Sequence, residues 1–184
     1  HFAFLNQQLL SRGWEQKASF VINDDTNLME NIFNLIKNDP NSVMFCFGGI
    51  GATPDDYTRE VAGKVFTSGA MEFHEEAKTR IINQFADEAY PHRINMAYLP
   101  INAKLLKNVV NNVAGFYLED RFFFTPGFPS MSQAMAIEAL DKLYPKSNIE
   151  KYRRVMTINA SENDLIDTMK KIPENIDLSS LPKI

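Results

Sequence analysis

The run Phe45-Cys46-Phe47-Gly48-Gly49-Ile50-Gly51-Ala52-Thr53-Pro54-Asp55-Asp56-Tyr57-Thr58-Arg59-Glu60 constrains this chain more than any other. The stretch from Val43 to Phe47 is apolar at every position, the pattern of a central parallel strand covered on both faces. Gly48, Gly49 and Gly51 then let the backbone adopt positive φ and come close to a ligand. Thr58 to Phe66 reads as a helix. A strand end that opens onto a helix N-terminus is where an open α/β sheet receives anions. Asp55 and Asp56 stand between the two elements and would repel bare phosphate. They suit a cation bridging to phosphate, or a polar group on a ring. The run therefore points to a phosphorylated small molecule held with a cation.

The rest of the chain alternates elements as a doubly wound α/β sheet does. Phe2, Leu5, Leu9 and Leu10 fall at helical spacing before Gly13. Ala18 to Ile22 reads as a strand. Asp24, Asp25 and Thr26 offer caps for a helix with Leu28, Ile32, Leu35 and Ile36 on its apolar face. Phe73, Ala77, Ile81 and Phe85 mark another helix. Leu105 to Val110 is strand-like. Phe116-Tyr117-Leu118 and Phe122-Phe123-Phe124 flank a tight turn. Ser130 begins a helix that turns Met131, Met135, Ile137 and Leu140 inward. Lys151 to Ile158 reads as a strand with Lys151, Arg153 and Arg154 on a solvated or phosphate-facing side. Ser161 and Asp164 have capping-box spacing ahead of a last helix.

The resemblance rests on Gly48-Gly49-Ile50-Gly51-Ala52-Thr53-Pro54-Asp55-Asp56-Tyr57-Thr58, which is similar to the GGxGPTxDDxT signature of the molybdopterin-binding (MoCF) superfamily. Within it the chain resembles the N-terminal domain of competence/damage-inducible CinA proteins and the similar domain of eukaryotic FAD synthases. Phe124-Thr125-Pro126-Gly127-Phe128-Pro129-Ser130 resembles the family's LPGxPSE loop, and Ala97-Tyr98-Leu99-Pro100 its A-x-L-P. The implied fold is a three-layer α/β/α sandwich over residues 1–147, followed by a small α/β appendage over 148–184. The departures are specific. Ala52 replaces a proline, Asn95-Met96 a Lys-Gln pair, and Met131 a glutamate. The family's first strand, with G-[DT]-E-[LI]-L-x-G, is expected before His1.

The resemblance implies a site between the Gly48–Asp56 loop and the Pro126–Ser130 loop. Asp55 and Asp56 are the candidate catalytic residues. Gly48, Gly49, Gly51, Thr53, Thr58, Pro126, Gly127 and Ser130 are candidates for holding ligand or phosphate. Asp24, Asp55 and Asp56 are candidates for holding a divalent metal ion (Mg, Mn or Co). Each has a plainer alternative. Asp56 could cap the Thr58 helix, Asp24 could cap beside Thr26, Ser130 could cap the helix after Pro129, and Thr53 or Thr58 could serve the helix start. His1, His74 and His92 lack metal-ligand spacing.

Two classes of function follow. The first, to which the resemblance points, is an enzyme: CinA-like domains resemble metal-dependent pyrophosphatases that cleave ADP-ribose or FAD. The second is a non-catalytic module that binds molybdopterin or a nucleotide. Molybdopterin adenylyl transfer is third, because those transferases usually carry Arg-Asp where Asp55-Asp56 stands. The partner is a small-molecule nucleotide or pterin, and the family implies a homo-oligomer. A net charge of −4 argues against nucleic acid, and no apolar stretch is long enough to span a membrane. The single cysteine, Cys46, forms no internal disulfide and reads as a buried inert thiol, which suits a reducing cytoplasmic setting.

Overall fold

The protein is described from a computed structural model covering residues 1–147, 152 and 154–181. It divides into two compact units, His1–Glu150 and Lys151–Ile184. In chain order the first unit contains α1 (Phe2–Ser11), α2 (Thr26–Lys37), β1 (Met44–Phe47), α3 (Thr58–Phe66), β2 (Met71–Phe73) and α4 (Glu75–Phe85). Two 3₁₀ turns, Ala86–Ala89 and Arg93–Ala97, lead to β3 (Tyr98–Pro100), β4 (Lys104–Leu106), β5 (Gly115–Leu118), β6 (Phe122–Thr125) and α5 (Pro129–Leu143).

The main sheet is mixed, with order β1-β6-β5-β4. Its β1–β6 pair is parallel, and its β6–β5 and β5–β4 pairs are antiparallel. Helices flank it on both faces, and strand alternation shows why. Phe122 and Phe124 share a core cluster with Phe33 of α2 and Phe66 of α3, while Phe123 points to a second cluster with Met135 and Ala139 of α5. Period-two alternation sends successive side chains to opposite faces, so a run of three phenylalanines fills both layers at once. Phe116 stacks on Phe124 at 4.6 Å, and Phe66 on Phe122 at 4.1 Å. On the other face Phe45 stacks on Phe123 at 4.8 Å.

Among the described residues the interior strands are therefore β6 and β5, and not Val43–Phe47. Among the described residues β1 lies at the sheet edge, and only Met44 of its four residues is fully buried. The segment Ala18–Ile22 is not a strand either. Val21 is 99% exposed there, and only Ile22 packs on the core. Strand propensity has no effect without a neighbour to complete the ladder. Leu105–Val110 shortens to β4 for the same reason: Lys104–Leu106 pairs with β5, and Asn108 instead turns back to hold the loop through Asn111 and Val113.

Local signals hold where the chemistry is short-range. α1 ends in a Schellman motif, with Trp14 N–H on the Leu9 carbonyl (2.9 Å) and Gly13 N–H on the Leu10 carbonyl (3.1 Å). α2 is capped by Asp25, whose carboxylate accepts from Asn27 and Leu28 N–H, so neither Asp24 nor Thr26 is the cap. The β5–β6 turn places Glu119 and Asp120 at positive φ and closes with Arg121 N–H on the Leu118 carbonyl (3.0 Å). A separate ribbon pairs β2 with β3 antiparallel and sets Phe73 directly opposite Tyr98.

In the second unit the described residues contain α6 (Glu162–Met169) and no strand. Its capping box forms as expected: Ser161 Oγ accepts from Asp164 N–H, and Asp164 accepts from Ser161 N–H, so the shorter aspartate reaches as glutamate usually does. Tyr152 and Arg154–Ile158 lie outside any strand, contrary to the strand expected there, and Lys151 and Arg153 lie outside the described residues.

Candidate functional site

The glycine loop grows directly out of the sheet. Gly48 N–H donates to the Thr125 carbonyl (2.8 Å), extending the β1–β6 pairing by one residue. Gly48 and Gly49 then take φ of +101° and +69°. Ile50 is buried in the core and anchors the loop from below. The turn closes when Thr58 N–H donates to the Gly49 carbonyl at 3.0 Å. A Cβ on Gly49 would strike Thr58 Oγ1, and one on Gly51 would lie 2.5 Å from Asp56 Oδ2. Gly49 and Gly51 are thus needed for the loop's own packing.

The carboxylates divide their work. Asp56 Oδ2 accepts from both the N–H (2.8 Å) and the hydroxyl (2.5 Å) of Thr53, which stiffens the loop. Asp56 does not cap α3; the N-cap residue is Tyr57, which makes no side-chain cap. Asp55 is exposed, and its carboxyl is held below the ordinary aspartate value, first by the Thr53 hydroxyl and then by its own backbone N–H. Thr58, a ligand candidate, is buried, with its side chain turned toward Gly49 and Cys46.

Gly48 and Gly127 pack backbone to backbone: a Cβ on Gly127 would lie 3.5 Å from Gly48 Cα. His1 fastens this junction, stacking on Phe47 at 4.3 Å and donating from Nε2 to the Gly127 carbonyl at 2.8 Å. The two loops therefore touch at these glycines. The recess opens instead on the other flank of the glycine loop. It is an open groove of about 400 Å³, with Thr53, Asp56, Arg59 and Glu60 on one side and Phe73, Asn95 and Tyr98 on the other. Of the candidate site residues only Thr53 and Asp56 line it; Gly48, Gly49, Gly51, Asp55, Thr58, Pro126, Gly127 and Ser130 do not.

Sequence reasoning missed Arg59. Its guanidinium donates to the carbonyls of Gly51 (2.7 Å), Asn95 and Tyr98 (3.3 Å), tying both walls of the groove together. It is only 8% exposed, and its Nε has no hydrogen-bond partner. Burial lowers its pKa from the ordinary value while Asp56 and Glu60 pull the other way, and the group stays a cation. The available signal was helical spacing: Arg59 precedes Ala62, Gly63 and Phe66 on the buried stripe of α3, where an arginine needs a reason.

Among the described residues no group of three or more His, Cys, Asp or Glu could hold a metal, so Asp24 does not join Asp55 and Asp56. The adjacent pair suits a hard cation that takes one or two carboxylates and completes its shell with water and substrate phosphate. No helix among the described residues is long and apolar enough to cross a membrane.

Cys46 retains some exposed surface, but its thiol is pushed up to about 12 by burial. Iodoacetamide at mildly alkaline pH is expected to leave it unlabelled in the folded protein and to label it fully in concentrated urea. Rapid native labelling, read by mass spectrometry, would contradict the buried placement.

The sequence profile of the probable molybdopterin-binding domain (MoCF_biosynth) matches residues 2–145. The chain belongs to this family. Its relatives include a CinA-like protein of Geotalea uraniireducens, 32% identical over 147 residues, covering 75% of this chain and 34% of that protein. A CinA-like protein of Leptospira biflexa is 29% identical over 192 aligned positions, covering 92% and 45%. The crystal structure of CinA from Thermoplasma acidophilum, a protein described as of unknown function, superposes with a TM-score of 0.67 at 25% identity, covering 77% of this chain and 85% of that one. This MoCF chain thus spans between a third and a half of the length of these curated relatives.

Proposed function

We propose that this MoCF domain binds a phosphorylated nucleotide or pterin at the Gly48–Asp56 loop and hydrolyses the diphosphate of a dinucleotide such as FAD or of a nucleotide sugar such as ADP-ribose. One observation carries the reading: a glycine loop with no room for a Cβ at Gly49 or Gly51 runs from the sheet into α3 beside an exposed carboxylate and an open groove. Asp55 and Asp56 would hold a divalent cation. When bound, it neutralises diphosphate charge and activates water. Loop N–H groups that the loop's own hydrogen bonds leave open would stabilise charge gathering on phosphate oxygens. Thr53 fixes Asp56, and Arg59 holds the loop against the ribbon, so the phosphate end meets a preorganised wall.

Turnover of FAD and ADP-ribose with magnesium, manganese or cobalt is the test. Metal-dependent cleavage is expected, falling on the order of 100-fold in Asp55→Asn. Asp55 is exposed and bears little on the fold, so that variant separates chemistry from folding better than Asp56→Ala. Folded protein with no turnover under any of the three metals would sink the hydrolase reading. The second reading, binding without turnover, is favoured by one contact: Asp56 Oδ2 is already engaged twice by Thr53.

A further inference from the structure

The ribbon that walls the groove carries an unexplained feature. The β2–β3 register places Phe73 and Tyr98 opposite one another, so both rings rise from the same face, 5.1 Å apart and tilted by 54°. They are 44% and 40% exposed, and both line the groove. We propose that this pair is the shelf on which a planar, amino-bearing heteroaromatic ring of the ligand lies, its phosphate end directed to the glycine loop. The inference rests on the reading above that the loop takes a phosphorylated ligand.

Three properties of the groove favour the ring end here. Aromatic faces stack on flat heterocycles whatever their substituents. The neighbouring side chain Glu60 accepts hydrogen bonds, as exocyclic amino groups require, and it would repel a bare phosphate. Asn95 offers both a donor and an acceptor, and its carboxamide makes no hydrogen bond among the described residues. Arg59 cannot reverse this polarity alone, because its guanidinium is spent on three carbonyls. Adenine and pterin share the required chemistry.

Calorimetric titration with AMP, neopterin monophosphate and ribose 5-phosphate, all with magnesium, tests the shelf and separates the two sources. At least one ring-bearing ligand is expected to bind about tenfold or more tightly than ribose 5-phosphate. Whichever shows the preference identifies the ring. Tyr98→Ala should erase the preference and leave ribose 5-phosphate binding unchanged, while Tyr98→Phe should keep it. Equal binding of all three ligands, with ribose 5-phosphate still sensitive to Asp55→Asn, overturns the shelf alone. A preference that survives in the Phe73→Ala/Tyr98→Ala protein also overturns it. Failure of all three to bind overturns both the shelf and the loop reading.

Discussion

Gly49→Ala is expected to lower folding stability by about 2–4 kcal/mol and to abolish ligand binding at the loop. Two costs add. The residue sits at φ +69°, where a Cβ costs roughly 1 kcal/mol or more. That Cβ would also strike Thr58 Oγ1 and lie 3.1 Å from Thr58 Cβ. Thr58 has nowhere to go, since it is buried and its N–H is held by the Gly49 carbonyl at 3.0 Å. Gly69→Ala is the control: φ is +84°, but nothing lies within 4 Å of the added atom, so only the conformational cost remains. Urea unfolding would compare the two at unchanged m-value. Equal losses would mean that Thr58 does not lock the loop. Thr58→Ala should recover part of the Gly49→Ala loss, because the two sites share the contact.

Phe124→Ala should cost about 3–5 kcal/mol, a large share of the roughly 5–15 kcal/mol that holds a domain together. The ring is fully buried, stacks on Phe116 at 4.6 Å, and meets Phe33 edge-on at 5.8 Å. Its neighbour Thr125 supplies the carbonyl that holds Gly48 N–H, so loosening β6 loosens the glycine loop too. The variant should therefore lose ligand affinity before it loses secondary structure. Phe128→Ala is the matched contrast, being 68% exposed, and should stay within about 0.5 kcal/mol of the parent. A Phe124→Ala loss below about 1 kcal/mol in thermal or urea unfolding would contradict the packing described for this face.

Three local readings held, although the caps suggested at Asp24, Asp56 and Ser130 did not form. The 58–66 helix needs only its own spacing. The Ser161–Asp164 box needs four residues, and the β5–β6 turn needs one hydrogen bond across two left-handed residues. The eleven-residue run carried the resemblance to the family, and the family profile over residues 2–145 bears it out. Failures occurred where the outcome depended on a distant partner. Ala18–Ile22 has the composition of a strand but no ladder neighbour among the described residues. Apolar runs at Val43–Phe47 and Phe122–Phe124 look equally central, and only pairing on both sides makes β6 an interior strand.

The same division applies to the site. Sequence alone determined the glycine loop, its two aspartates and the helix that follows, since these are contiguous and their geometry is local. Only the tertiary structure decided which face of that loop is open. Gly48 touches Gly127 on one flank, and the ribbon of Phe73 and Tyr98 forms a wall on the other. It also gave Arg59 its role, because the carbonyls it joins lie 8, 36 and 39 residues away. Hydrogen bonds across such separations depend on how the layers pack, and packing is a property of the whole fold rather than of any one stretch of chain.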